Sequence, residues 1–320
     1  MVFQYHMWNN YLDLGFFEFG TDIFIVLVGF VSAVSQAHRI PDGNWGKYIW
    51  RRYTRIYVVF LPVFILYAFA GRDPYEFIFF LKSFLFIPIA NRLPLVGPTW
   101  ILSLILIFYW LFSLAFIFRS ERILIPVFAL WGIACLAYSW FQWNPGLPVE
   151  WNNTLFNHRN IEFILGYLGG KALITQVIIP KAGKWMIALG TVGVIPGFFF
   201  LNNEFLDPIW RTFLIGIPTT IIILGFSVLE KHQSTNPLLS ILLHPWLIWL
   251  GGTSYVLYLI HNMVLRIWDT IIPITPMQVP LITVAVIGMS AIGYQLWEKP
   301  VLENLRRKSY RRESLEEAVM

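Results

Sequence analysis

The chain has 320 residues, of which 57% are hydrophobic and 13% charged, about half the charge of an ordinary soluble domain, and this excludes a water-soluble globular fold. The formal charge of +5 is spread through the segments between apolar runs and is not gathered on a basic face, which argues against a nucleic-acid partner. A single cysteine, Cys135, set in an apolar run, leaves no internal disulfide and no cysteine metal cluster, and no metal site is expected.

The apolar runs are of the length a helix needs to cross about 30 Å of hydrocarbon. In chain order the predicted spans are 1–13, 20–37, 54–71, 98–118, 123–140, 161–176, 184–201, 210–229, 246–265 and 279–297. The fold class is therefore all-α: a polytopic membrane protein of about ten transmembrane helices. The stretch 77–90 is apolar but short, carries Lys82 and lies between Pro74 and Pro88, so it reads as interfacial or re-entrant. Residues 1–300 form one transmembrane domain, and 301–320 a basic cytosolic tail. There is no internal repeat.

Ten crossings divide the lysines and arginines into alternate loops. One set holds Arg39, Lys47, Arg51, Arg52, Arg55, Arg119, Arg122, Lys171, Lys181, Lys184, Lys231, Lys299, Arg306, Arg307, Lys308, Arg311 and Arg312, which is 17 residues, and the other holds Arg72, Lys82, Arg92, Arg159, Arg211 and Arg266, which is 6. By the positive-inside rule this asymmetry puts both termini in the cytosol.

Ionisable side chains within a span are costly unless paired or wetted, and so are functional candidates. His6 and Asp22 sit on consecutive spans, each about eight residues from the turn near Leu14-Gly15, and so at a matching depth of roughly 12 Å. A hydrogen bond between them would fix the imidazole tautomer and raise its basicity. The alternative is a satisfied polar pair that joins two helices. Glu162 opens the sixth span, either as a functional acid or as a first-turn carboxylate favoured by the helix dipole. Ser254, Tyr258 and His261 share one face of the ninth span, lining a cavity or serving as packing contacts. Where the third span begins, Arg52 and Arg55 share a face at i, i+3, with Arg51 beside them. Arginine suits bidentate phosphate binding, although basic residues at an inner helix end are also what topology requires. Glu298 reaches the same face from the last span and is a partner for one of these arginines, and Pro300 helps to end that helix.

Several segments, in order, resemble the acyltransferase family 3 proteins, bacterial membrane enzymes that O-acylate exopolysaccharides, O-antigens and related glycans. Gly20-Thr21-Asp22-Ile23-Phe24-Ile25-Val26-Leu27-Val28-Gly29-Phe30 is similar to the family's Gly-Val-Asp-Leu-Phe-Phe-Val-Leu-Ser-Gly-Phe signature, and Arg51-Arg52-Tyr53-Thr54-Arg55 to its Arg-x-x-Arg motif. Glu162-Phe163-Ile164-Leu165-Gly166, the segment Ser254 to His261, and Glu298-Lys299-Pro300 match three later motifs. The likeness covers about residues 1–307. It implies an acyl-CoA donor (acetyl-CoA as the simplest), with no bound cofactor. It further implies a carbohydrate acceptor, either a polysaccharide or a lipid-linked sugar, and a place in the bacterial inner membrane. It assigns His6 to the family's essential first-helix histidine, and Arg52 and Arg55 to its paired arginines. Catalytic roles are thus expected for His6 and Asp22, substrate binding for Arg52, Arg55, Glu162, Tyr258 and His261, and structural roles for Arg51 and Glu298.

Three departures from the family pattern stand out. The family carries an arginine eleven residues before the histidine, whereas this chain starts five residues before His6. Either the natural start lies upstream, which a first span of only 13 residues favours, or the arginine is missing and donor binding is compromised. Ile105 stands where a glutamate is usual, and Val28 where serine is usual. Two rival readings follow: a transporter or flippase of a lipid-linked sugar using intramembrane His and Asp, and a catalytically weakened homologue.

Overall fold

The computed structural model describes residues 19–70, 76–89, 92–142, 154–175, 181–200, 209–232 and 236–308. Among these the chain is helical, with no strand. The main helices are α1 (Phe19–Gln36), α2 (Trp45–Ala70), α3 (Phe77–Phe84), α4 (Trp100–Ile117), α5 (Leu124–Gln142), α6 (Asn160–Ile174), α7 (Ala182–Phe200), α8 (Ile209–Lys231), α9 (Pro237–Leu242), α10 (Pro245–Ile271) and α11 (Val279–Gly293 and onward). Among the described residues seven helical stretches are long and apolar enough to cross a membrane: Phe19–Asp42, Trp45–Phe69, Gly97–Ile117, Glu121–Phe141, Ile209–Lys231, Pro245–Ile271 and Pro276–Lys308. The protein is a multi-pass membrane protein. Of the three other expected spans, 1–13 lies outside the described residues, while 161–176 and 184–201 correspond to α6 and α7.

The chain packs as two compact units, residues 1–49 with 76–243, and residues 50–75 with 244–320. In the first unit, glycines let helix backbones touch. A Cβ added to Gly29 of α1 would lie 2.1 Å from the Phe163 carbonyl oxygen of α6, and one added to Gly166 would lie 2.0 Å from that of Val26. Gly166 and Gly170 form a G-x-x-x-G stripe facing Gly29 and Ala33, the small-residue contact that holds helices together where lipid removes the hydrophobic drive. The matched positions rise together along both chains, so α1 and α6 run parallel. α8 joins them in the same sense: an added Cβ on Gly216 would approach Glu162 near the start of α6, whereas Gly169 faces Thr220, a turn further along both helices. α7 packs antiparallel on α8, with Gly183 against Gly225 and Gly190 against Pro218 and Ile222. On α4, Phe108 and Phe112 are fully buried, and Phe108 stacks on Phe163 of α6 with ring centroids 4.9 Å apart.

The stretch 77–90 contains only the eight-residue α3, too short to span. The chain then turns through Phe86 at φ 56°. Ser103 Oγ of α4 donates to the Phe86 carbonyl at 2.7 Å, and Leu95 N donates to Ser83 Oγ at 3.0 Å. Side chains of α3 and of α4 thereby supply hydrogen bonds to this irregular backbone.

Among the described residues two helices contain a π-turn, and each such turn ends two residues before a proline: Thr212–Gly216 before Pro218, and Tyr294–Glu298 before Pro300. Proline lacks the N–H that would bond the carbonyl four residues back. The helix widens at that point, with Ile217 N bonding Thr212 O and Lys299 N bonding Tyr294 O. Pro300 therefore does not end its helix, as the sequence suggested. The helix runs on to Lys308, so the first residues of the expected tail are helical.

In the second unit the same physics ties α2 to α11. Pro62, inside α2, leaves the Val58 carbonyl without its helical donor, and Trp297 Nε1 donates to that oxygen at 2.6 Å. Tyr255 of α10 likewise donates its hydroxyl to the Ile56 carbonyl at 3.1 Å. Trp297→Phe keeps the ring but orphans Val58 O where no water replaces it, and is expected to cost about 1–3 kcal/mol in unfolding of the solubilised protein. Pro62→Ala in the same background, which restores the backbone donor, should recover most of that loss.

Candidate functional site

The first turns of the three parallel helices meet. Asp22 comes from α1, Glu162 from α6, and Arg211 with Thr212 from α8, while His158 and Arg159 come from the turn preceding α6. Asp22 and Glu162 are wholly inaccessible. Arg211 grips Asp22 with both arms of its guanidinium, Nε to Oδ1 at 3.0 Å and Nη2 to Oδ2 at 2.7 Å. This two-pronged geometry is the one in which arginine and carboxylate match best. Arg159 donates from Nη1 to Thr21 Oγ1 at 3.0 Å, lies over the Trp100 ring at 5.1 Å and acts electrostatically on Asp22. The Glu162 carboxyl is within hydrogen-bonding reach of that of Asp22, and Thr212 Oγ1 is 3.5 Å from Glu162 Oε1 and 3.2 Å from the His158 carbonyl oxygen. Two carboxyls, close enough to share a proton, thus face two guanidiniums, the kind of pairing that buried charge requires.

The π-turn contributes to this geometry. By inserting an extra residue per turn just after Arg211, it shifts which side chains of α8 face α6. Gly216, at the end of the π-turn, leaves room for Glu162: a Cβ there would be 3.0 Å from Glu162 Cγ.

His158 stands beside this cluster, outside the spans. Burial, with the charges of Arg159 and Arg211 adding to it, pushes its imidazole down to about 3, and Asp22 offsets only part of that. The ring is therefore neutral at physiological pH. Its Nε2 is buried and has no hydrogen-bond partner among the described residues. The unfolded chain binds this proton more readily than the native protein does, so His158 lowers stability as pH falls below the ordinary histidine value near 6.5 toward 3. By pH 5 the loss should approach about 2 kcal/mol. Unfolding midpoints of solubilised wild type should rise from pH 5 to pH 7, and His158→Gln should flatten that slope.

The structure brings Asp22 and Glu162 together, which the sequence reading had treated separately, and adds Arg159, Arg211 and His158. The two arginines had entered the sequence reading only as loop charges. His6, the expected partner of Asp22, lies outside the described residues. Ile105 is buried on α4, so the carboxylate missing from the family pattern is replaced by apolar packing.

The remaining candidates fall in the second unit. Arg51, Arg52 and Arg55 lie within α2, which starts nine residues before the expected span, at Trp45. Arg51 and Arg52 are half-buried and Arg55 is exposed, and Tyr53 stacks on Tyr57 with centroids 6.1 Å apart. Glu298 is buried, and Arg55 is the cation that acts on its carboxyl. On α10, His261 is fully buried with Nδ1 3.2 Å from the Leu257 carbonyl oxygen, and its ring centroid is 6.1 Å from that of half-buried Tyr258. Ser254, at the other end of that stripe, is exposed and donates to its own helix at Gly251 O, 2.6 Å away.

An all-helical multi-pass fold with a buried carboxylate–guanidinium cluster at converging helix starts defines an integral membrane protein with polar chemistry inside its helical bundle. A family profile described as an acyltransferase domain, Acyl_transf_3, matches residues 1–295. The chain belongs to acyltransferase family 3 and is a membrane acyltransferase. No curated protein and no solved structure matches it.

Proposed function

We propose that the protein transfers an acyl group, acetyl in the simplest case, from acyl-CoA to a hydroxyl of a cell-surface or lipid-linked carbohydrate in the bacterial inner membrane. Arg52 and Arg55 engage the phosphates of the coenzyme. His6, oriented by Asp22, takes the proton of the acceptor hydroxyl as its oxygen attacks the thioester carbonyl. A C–O bond forms, the C–S bond breaks, and the proton passes to the departing thiolate, so no further reactant is needed. Glu162, Tyr258 and His261 contribute to substrate binding.

The observation that carries this reading is the Asp22 carboxylate held by Arg211, wholly buried, in a chain of this family. A buried ionic group kept at a fixed angle is what an oriented acid–base partner requires. The experiment is transfer of labelled acetyl from acetyl-CoA to glycan in membranes carrying the wild type or His6→Ala. The variant should insert normally and lose transfer by a factor of about 100 or more. Near-normal glycan labelling would refute the role of His6.

A further inference from the structure

α7 meets the π-turn of α8 at two glycines. Pro218 lacks the N–H that the Leu214 carbonyl would accept from, and that oxygen lies toward α7. A Cβ added to Gly197 would be 3.4 Å from it and would collide with Cδ1 of Ile215. A Cβ added to Gly193 would be 3.1 Å from Cγ of Pro218. Ile215 belongs to the π-turn and is 1% exposed, so its side chain has no open space to swing into. Pro196, the residue before Gly197, lies inside α7, and both helices are therefore irregular at the same level. Glycine weakens a helix interior relative to alanine. Here the contact supplies the reason for it, because any side chain at 197 would press on the widened turn.

Arg211 is the residue next to that turn. Its grip on Asp22 consists of two hydrogen bonds, at 3.0 and 2.7 Å, and such bonds are lost once their atoms part by about 1 Å. Ile215 stands about one turn further along α8, so a push on it reaches Arg211 through a single turn of backbone. On another side of the same π-turn, a Cβ on Gly216 would be 3.0 Å from Glu162 Cγ. The turn is thus seated between α7 and the carboxyl cluster, with a glycine at each contact.

We infer that Gly197 is a positioning residue for acyl transfer: by leaving room for Ile215 it seats the π-turn so that Arg211 holds Asp22 at the angle the reaction uses. This rests on the acyl-transfer reading above, in which Asp22 orients His6, and it extends the support of the site to α7.

The test uses the full chain in lipid nanodiscs, with coenzyme A release from acetyl-CoA as the rate. Gly197→Ala should lower kcat roughly tenfold or more, as a misplacement of about 1 Å does, and leave KM for acetyl-CoA within about twofold, since Arg52 and Arg55 engage the donor. Gly183→Ala is the control. Its Cβ would make a close contact between the same two helices, 2.9 Å from Leu229 Cγ and 3.0 Å from Gly225 O, but at the other end of α7, and it should lose stability without losing kcat. Ile215→Val deletes the Cδ1 atom that the new methyl would strike, and in the Gly197→Ala background it should restore roughly half or more of the lost rate. General loosening would not be cured by removing a further buried methyl. Gly193→Ala, pressing on the Pro218 ring, should show the same pattern more weakly, and with the double variant it decides the matter should Gly197→Ala fail to insert. The positioning is also read without catalysis: in unfolding of the solubilised protein, Arg211→Met should cost roughly half as much on Gly197→Ala as on Gly183→Ala, because the grip is already loosened. Wild-type kcat in Gly197→Ala, a loss that Ile215→Val does not relieve, or a full cost of Arg211→Met in the Gly197→Ala background each overturns the inference. A wild type that releases no coenzyme A overturns the acyl-transfer reading instead, and the unfolding series then still judges whether Gly197 positions Arg211.

Discussion

Arg211→Met is expected to destabilise the folded protein by roughly 3–5 kcal/mol, the largest stability effect of any single side-chain loss around the site. Both partners are shielded, with side-chain exposures of 11% for Arg211 and 0% for Asp22, so neither charge is relieved by solvent. Removing the guanidinium strands a buried carboxylate beside a second carboxyl, and Arg159, committed to Thr21 and set over Trp100, offsets only part of the loss. Arg211→Lys keeps the charge but loses the two-pronged grip, and should fall between wild type and Arg211→Met. Denaturant-induced unfolding of the solubilised protein reads the series. Equal stability of wild type and Arg211→Met would show that the pair does not hold the three helix starts together.

Gly166→Leu should abolish folding, as judged by a monodisperse peak from solubilised membranes. The first carbon of any side chain at this position meets the backbone of α1, with Val26 O at 2.0 Å and Phe30 N at 3.0 Å. Backbone cannot swing aside as a flexible side chain can, so α1 and α6 must separate. Even Gly166→Ala should cost about 1–3 kcal/mol by overpacking. Gly251, with nothing within 4 Å of an added Cβ, is the control, and Gly251→Ala should be tolerated. Normal yield of Gly166→Leu would contradict the close approach of the two helices. That approach also sets the site, because Asp22 lies two turns before Gly29 on α1 and Glu162 one turn before Gly166 on α6.

Much of this architecture was legible in the sequence. Apolar runs and the uneven distribution of basic residues marked the helices, since the cost of burying charge in lipid is imposed on every residue. Asp22 and Glu162 were visible as candidates on the same ground. Their partners were not, because Arg159 and Arg211 sit at span ends, where a charge needs no explanation. A signal was nonetheless present: both belong to the six basic residues that run against the charge asymmetry. A third member of that minority, Arg92, has its guanidinium carbon 3.8 Å from the centre of the Phe79 ring. A cation in the minority set is a sensible place to look for a partner. The pairing of α1 with α6, 137 positions apart in chain numbering, depends on glycine contacts that no local pattern specifies.

Pro300 misled for a related reason. From the sequence, Pro300 reads as a helix stop. In the bundle, widening the preceding turn costs less than breaking a span whose carbonyls would have no water to bond, so the helix continues and Glu298 is carried inward. Pro218 does the same beside Arg211. Intrinsic propensity describes the isolated helix, whereas these turns are settled by the surrounding solvent and packing.

The central claim is that the carboxylate of Asp22, locked by Arg211 at the meeting of three parallel helices, takes part in acyl transfer. The most direct measurement is coenzyme A release from acetyl-CoA by the purified protein in lipid nanodiscs, wild type against Asp22→Asn, with helix content checked by circular dichroism. The wild type should release coenzyme A, and a folded Asp22→Asn should do so slower by a factor of about 100 or more. Release by the folded variant at the wild-type rate would contradict the account.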